Sequence, residues 1–128
     1  MVKRVEAILD AICDLNGGLN PDSEAYRLRN PLLVESFANF GRHEIDDKGR
    51  RKFDSFVNGY KAGLFDLEVK LKGHSRARLN SESPLEDLLR AYRIVDGADV
   101  DKVIEFIRRA IRDQSVSTDT PLQFFLEG

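Results

Sequence analysis

Apolar residues recur along the middle of the chain at the spacing of an α-helix. In residues 53–72, FDSFVNGYKAGLFDLEVKLK, successive members of this stripe are four, three, four, three and four positions apart. A straight helix of that length spans about 30 Å, the width of a small domain. Such a stripe predicts the central helix of the core, beginning between Asp46 and Arg51. Its members are Phe53, Val57, Tyr60, Leu64, Leu67 and Leu71, with Phe56 and Phe65 widening it.

Two helices are predicted before this segment. Residues 2–15 carry one apolar face and end at Asn16-Gly17-Gly18, a common helix stop. Asn30-Pro31 supplies an N-cap and a first helical residue, so a second helix is expected to run from there to Gly41. The connector between the two helices has room for one helical turn from Asp22.

Three further helices are predicted after the long one. Ser83-Pro84-Leu85-Glu86 matches a capping box with proline at the first helical position. Asp99 is the predicted N-cap of the next helix, whose apolar stripe is Val100, Val103, Ile104, Ile107 and Ile111. Thr120-Pro121 is expected to start a final short turn. The residues expected to pack back on the core from that turn are Leu122, Phe125 and Leu126.

These patterns predict an all-α protein, a single compact helical domain of five to six helices over residues 1–128. No stretch alternates apolar and polar residues as a half-buried strand does, so no significant sheet is expected. The chain has 41% hydrophobic and 33% charged residues, which suits a soluble globular protein. Its apolar runs fall short of the roughly 20 residues of a membrane span. With Cys13 as the single cysteine, we expect no internal disulfide and a cytoplasmic location.

Charge is distributed unevenly along the chain. Residues 48–78 hold nine basic and three acidic side chains, whereas the segments on either side are both net acidic. Such a basic middle can be neutralised within the fold, or it can contact the phosphates of nucleic acid. No helix-turn-helix spacing or exposed aromatic pattern supports base recognition, so nucleic-acid binding is disfavoured.

Motifs of known chemistry are sparse. The chain has no Gly-rich phosphate loop, no zinc-ligand spacing and no Gly-x-Ser-x-Gly elbow, so we expect no cofactor and no metal. His43 and His74 lie 31 positions apart in polar stretches, which makes them poor partners in catalysis. Glu35 lies between Val34 and Phe37, and a carboxyl group close to apolar surface can keep a proton and act as a general acid. A solvent-facing Glu35 is the alternative.

Five short sequence features occur in a fixed order between residues 27 and 126. In that order they resemble a family of phage-associated lysozyme-like proteins, related to lytic transglycosylases, whose members share an Asn-Pro-Gly-Asn motif. The resemblance implies a lysozyme-like helical fold that acts on peptidoglycan. The features are Arg29-Asn30-Pro31, Phe53-Asp54-Ser55 with Gly59 and Ala62, Leu85–Tyr92, Asp96–Ile107 and Thr118–Leu122.

The chain departs from this family at the residues that would carry catalysis. Leu32-Leu33 replaces the Gly-Asn of the motif, and Tyr26 stands where the transglycosylase relatives have a catalytic Glu. Glu24 is the nearest carboxylate upstream and Glu35 the nearest downstream, so these two are the catalytic candidates. The resemblance thus implies the fold more than the activity. The candidate binding residues are Arg29, Asn30, His43, Arg76 and Arg78.

The sequence therefore predicts a degenerate lysozyme-like helical domain with a glycan-binding or structural, accessory role. If activity is retained, it is that of a peptidoglycan-directed glycosidase or transglycosylase. Two alternatives stay open. One is a small intracellular adaptor that acts through protein contacts, with a homodimer as one form. The other, less favoured, is a nucleic-acid-binding protein that uses the basic residues 48–78.

Overall fold

A computed structural model of the protein describes residues 3–34, 43–45, 50–73 and 79–127, with residues 43–45 described by their backbone alone. The described elements are six helices and two strands of three residues each, so the prediction of an all-α protein is confirmed. In chain order the elements of the described residues are α1 (Arg4–Leu15), α2 (Glu24–Leu28), β1 (His43–Ile45), β2 (Arg51–Phe53), α3 (Phe56–Leu71), α4 (Leu85–Ala91), α5 (Gly97–Ile111) and α6 (Gln123–Leu126). Among these helices, none combines the length and the apolar content needed to cross a bilayer.

The residues fall into two compact units. Unit 1 comprises Met1–Ala11 and Leu67–Gly128, and unit 2 comprises Ile12–Asp66. Both boundaries lie inside helices, one in α1 and the other in α3. The expectation of a single domain over residues 1–128 stays a prediction.

Helix α5 supplies much of the core of unit 1. Its predicted apolar stripe is buried at Val103, Ile104, Ile107 and Ile111. The prediction of Asp99 as its N-cap is wrong. The carboxylate of Asp96, whose backbone is extended, accepts hydrogen bonds from the N–H groups at positions 98 and 99 at 2.9 and 3.2 Å, so the helix begins earlier, at Gly97.

The start of α4 is capped by main chain rather than by a capping box. The N–H groups of Leu85 and Glu86 donate to the carbonyl oxygens of Thr120 and Thr118 at 2.8 and 3.0 Å. The predicted capping box is therefore wrong, because the closing segment of the chain already satisfies these first helical donors. Ser83 Oγ instead accepts a hydrogen bond from the Asn80 N–H.

The closing segment also packs on unit 1 through its side chains. Leu122 and Phe125 are fully buried, as predicted, and the N–H of Leu122 donates to the Ser83 carbonyl at 2.9 Å. Leu126, predicted to pack on the core, is instead 43% exposed. Because α6 is a single turn of helix, its side chains point in different directions and only part of its apolar surface is buried.

Two short antiparallel strands precede α3, with His43 opposite Phe53 in the ladder. The predicted helix start between Asp46 and Arg51 is therefore wrong, because Arg51 begins β2 and α3 begins at Phe56. Ser55 Oγ accepts a hydrogen bond from the Asn58 N–H at 3.1 Å, as an N-cap side chain does. This local cap fixes the start of α3 after the strand.

The helix predicted to start at Asn30-Pro31 is also absent from its described part, residues 30–34. These residues form a turn in which Leu33 has φ of 52°. A right-handed helix cannot pass through a residue in the left-handed region, so the N-cap signal here belongs to a turn. The rest of the predicted helix lies outside the described residues.

Helix α3 buries small residues in its N-terminal half, and its predicted apolar stripe is buried at Leu67 and Leu71. Val57 is 60% exposed and Phe65 is 50% exposed, so the prediction that the stripe is covered is wrong at both positions. A Cβ atom added to Gly59 would lie 1.7 Å from the Arg29 carbonyl oxygen. Because only glycine leaves room for the main chain of Arg29 here, the side of α3 that carries Gly59 is the buried side in the N-terminal half of the helix. The buried residues of the helix are Gly59, Ala62, Gly63, Leu67 and Leu71.

We expect Gly59→Ala to lower the free energy of unfolding by about 1–3 kcal/mol, because the new methyl group overlaps main-chain atoms that cannot rotate away. Gly97→Ala is the matched control, since a Cβ there meets no atom within 4 Å. The control should be neutral or stabilising by up to about 1 kcal/mol. Urea denaturation followed by circular dichroism measures both, and equal effects at the two glycines would contradict the close approach at Gly59.

Asp96→Ala should destabilise the protein by about 1 kcal/mol, because two N–H groups of α5 lose their acceptor. Asp99→Ala, which removes the same charge in the first turn of the same helix, should cost less than half as much. The two free energies of unfolding come from urea titrations at the same pH. A larger loss for Asp99→Ala would restore the original prediction of the cap.

Candidate functional site

The side-chain amide of Asn30 is the centre of hydrogen bonding in unit 2. Asn30 is completely buried, and its Nδ2 donates to the carbonyl oxygens of Val34 and Arg51 at 3.0 and 2.8 Å. Its Oδ1 accepts from the N–H of Val34 at 2.9 Å. Both donors of the amide are therefore used on main chain. The side chain closes the turn and attaches it to β2.

Main-chain hydrogen bonds hold the same turn on its other sides. The N–H of Asn30 donates to the Ala25 carbonyl at 2.9 Å, and the N–H of Arg51 donates to the Val34 carbonyl at 3.1 Å. The amide of Asn16 donates to the Pro31 carbonyl at 3.0 Å. The turn of residues 29–34, which we call the Asn30 turn, is thus fixed to α2, to β2 and to the residue after α1.

Two residues of the Asn30 turn have left-handed backbone conformations. Arg29 has φ of 51° and ends α2, and Leu33 has φ of 52°. For a residue other than glycine, asparagine or aspartate, this conformation costs about 1–2 kcal/mol. At Arg29 this conformation is that of a common helix C-cap, as at Arg112. At Leu33 it belongs to no helix end, and backbone strain of this kind is concentrated at functional sites, so the turn is a candidate site.

Tyr26 lies on α2, immediately before this turn. Ser23 caps the helix, and its Oγ accepts a hydrogen bond from the Tyr26 N–H at 3.1 Å. The Tyr26 side chain is exposed, at 45% of its full accessibility. Arg29, also exposed, lies three positions later and donates from its guanidinium to the Asp54 carbonyl at 3.2 Å. An exposed aromatic side chain and an exposed cation therefore come shortly before the buried amide in the sequence of unit 2.

Of the two catalytic candidates, only Glu24 lies among the described residues. Glu24 begins α2, and its carboxylate forms an ion pair with the guanidinium of Arg50. A general acid must hold a proton that it can give to the leaving oxygen, whereas this carboxylate is the anionic half of a pair. Glu35 lies outside the described residues.

The five binding candidates are only partly brought together. Arg29 and Asn30 lie side by side in the Asn30 turn, where the arginine is exposed and the asparagine is buried. His43 belongs to β1, of which only the backbone is described. Arg76 and Arg78 lie outside the described residues. The binding role of each stays a prediction.

The basic segment 48–78 does not present all of its cations to solvent. Arg50 pairs with Glu24, and Arg51 is only 5% exposed. The Lys70 ammonium lies 4.7 Å from the centre of the Tyr92 ring, a cation–π contact within unit 1. The basic residues of this segment that are described as exposed are Lys52, Lys61 and Lys72. Nucleic-acid binding stays a prediction, and fewer basic side chains of this segment are exposed than its nine basic residues suggest.

Among the described residues there is no group of three or more His, Cys, Asp or Glu side chains that could hold a metal ion. Cys13 is buried, and its Sγ lies where a Cβ on Gly18 would be placed, so it packs against the end of its own helix. The polar interactions of unit 2 reported above are the hydrogen bonds of the Asn30 turn and the ion pair between Glu24 and Arg50.

Comparison of the chain with protein-family models, with curated proteins and with solved structures finds no match. The resemblance to lysozyme-like proteins therefore stays a prediction that rests on the sequence features themselves.

Two contributors to the site were missed at the level of sequence. Arg51 was considered only as one of the basic residues of 48–78, yet it is buried, and nothing in its local sequence distinguishes it from Arg50. Gly59 was read only as part of a motif, although Gly59 and Gly63, four positions apart with Ala62 between them, form a stripe of small residues on one face. Such a stripe is the signal that another segment approaches closely.

We expect Leu33→Asn to raise the free energy of unfolding by about 1 kcal/mol, because asparagine adopts the left-handed conformation at lower cost than leucine. The control is Leu32→Asn, at a residue that is only 4% exposed. That control should lose about 2 kcal/mol or more, because it removes apolar burial and buries an amide. Thermal and urea unfolding measure both, and destabilisation by Leu33→Asn would contradict the strain assigned to the turn.

Proposed function

We propose that this chain is a lysozyme-like helical domain that binds the glycan strands of peptidoglycan without cleaving them. The observation that carries the proposal is the exposed side chain of Tyr26, which lies on α2, the short helix that ends at the Asn30 turn. By the sequence resemblance, Tyr26 occupies the position of the catalytic Glu. An aromatic side chain there removes the proton donor and supplies a contact surface.

Cleavage of a glycosidic bond requires a protonated carboxyl group close to the scissile oxygen. The upstream carboxylate, Glu24, is engaged with Arg50 instead. In the same turn Leu32 and Leu33 replace the motif glycine and asparagine, and Leu33 is partly exposed whereas Leu32 is buried. These features favour a domain in which binding is retained and the chemistry is lost.

A sugar ring offers an apolar face of C–H groups and a rim of hydroxyl groups. The half-exposed Tyr26 ring can pack on the first, and its hydroxyl and the Arg29 guanidinium can hydrogen-bond the second. Because the Asn30 turn is fixed by buried hydrogen bonds, these groups are ordered before the ligand arrives, which lowers the entropic cost of binding. The affinity expected from one such aromatic contact is modest.

The test is co-sedimentation of the purified protein with insoluble peptidoglycan, measured over a range of protein concentrations. Wild-type protein should sediment with the glycan, and Tyr26→Ala should bind roughly tenfold more weakly, a loss of about 1.4 kcal/mol. Val95→Ala is the matched control, since it removes an exposed apolar side chain, 68% accessible, from unit 1. It should bind as wild type does.

Two results would contradict the proposal. The first is the absence of co-sedimentation at low and moderate salt, which removes glycan binding. The second is clearing of a peptidoglycan suspension by wild-type protein that is abolished in Glu35→Gln or Glu24→Gln, which would establish an enzyme.

A further inference from the structure

The solvent-facing side of α3 carries apolar residues that a single copy of the chain leaves accessible. Val57 is 60% exposed and Phe65 is 50% exposed, and Lys61, between them on the same side, is exposed as well. Leu64 and Glu68 are partly exposed neighbours on the adjoining row of the helix. We call these five residues the outer face of α3.

The outer face is self-complementary when its sequence is read in both directions. Its centre lies between Leu64 and Phe65, with Lys61 three positions before Leu64 and Glu68 three positions after Phe65. A helix with this pattern presents an apolar centre flanked by one positive and one negative charge at equal distances. Two copies that meet in opposite directions therefore place unlike charges opposite each other.

We propose that α3 pairs antiparallel with α3 of a second copy of the chain, about a twofold axis that passes between Leu64 and Phe65. Leu64 faces Phe65 of the partner subunit at the centre. Lys61 faces Glu68 of the partner subunit, and the symmetry repeats this pair on the other side. A parallel pairing, in contrast, opposes Lys61 to its own copy and is disfavoured by like-charge repulsion.

The two charges are available for this pairing. Neither Lys61 nor Glu68 forms an ion pair in the part of the chain that the structure describes. Charges beside an apolar seam contribute mainly to the choice of partner and register, and the apolar contacts supply most of the affinity. The paired charges therefore favour antiparallel association of two copies of the outer face of α3.

The expected association is weak. Stable interfaces bury about 1,200–2,000 Å² in total, and a pair of helices as short as α3 falls at or below the lower end. We therefore expect a dimer that forms reversibly at tens to hundreds of micromolar protein. This inference concerns α3 alone and does not depend on glycan binding at the Asn30 turn.

Sedimentation velocity over a wide concentration range tests the pairing. Wild-type protein should move from the 14.5 kDa monomer towards twice that mass as its concentration rises. Lys61→Glu and Glu68→Lys should each weaken association at least about fivefold, a typical coupling of about 1 kcal/mol for close charges. The double variant, which exchanges the charges, should restore wild-type association.

Lys52→Glu is the matched control, because it makes the same charge change at an exposed residue of β2, off the outer face. It should associate as wild type does. Circular dichroism checks that each variant is folded. Phe65→Ser removes the apolar contact at the twofold axis without a change in charge, and it should also weaken association. The proposal is overturned by a monomer at all concentrations, by a dimer that the single charge reversals leave unchanged, or by a folded double variant that does not recover.

Discussion

The buried amide of Asn30 is the interaction on which the arrangement of unit 2 depends. Its hydrogen bonds connect the N–H and the carbonyl of Val34, in its own turn, with the carbonyl of Arg51 in β2, 21 positions further along the chain. A carbonyl or N–H left unsatisfied at this depth costs about 1–3 kcal/mol. The turn can therefore keep two left-handed residues, because the surrounding bonds outweigh their strain. The same turn brings the Arg29 carbonyl against Gly59 and so sets which face of α3 is buried.

Elements whose signals are local could be predicted from the sequence. The stripe of α5 repeats at helical spacing over fifteen residues and needs no distant partner to be recognised. The errors arose where a distant segment supplies the decisive contact. Thr118 and Thr120 replace the expected capping box of α4. In the same way, the signal at Asn30 is ambiguous locally, because asparagine before proline suits both a helix start and a turn, and only the bond to the Arg51 carbonyl distinguishes them.

The candidate site could be predicted in its position but not in its chemistry. The sequence resemblance places four candidate residues between positions 24 and 35, and the Asn30 turn lies in that range. Which side chains it would offer to a ligand depends on burial, and burial reverses the expected roles. Asn30, named as a binding residue, turns inward to the main chain, whereas Tyr26, noted only as a departure from the motif, turns outward. The broad apolar stripe of α3 predicted burial correctly at Leu67 and Leu71 but not at Val57 and Phe65, because the N-terminal half of the helix buries small residues instead.

In the proposed function, the Asn30 turn is a rigid support for a glycan contact at Tyr26. The most direct measurement is a titration of isotopically labelled protein with a soluble peptidoglycan oligosaccharide, followed by amide chemical shifts. Saturable shifts are expected for the amides of Tyr26, Arg29, Asn30, Leu32 and Leu33, and the N–H of Val34 should be protected from hydrogen exchange before and after addition. Shifts confined to other parts of the chain, or rapid exchange at Val34 in the absence of ligand, would contradict it.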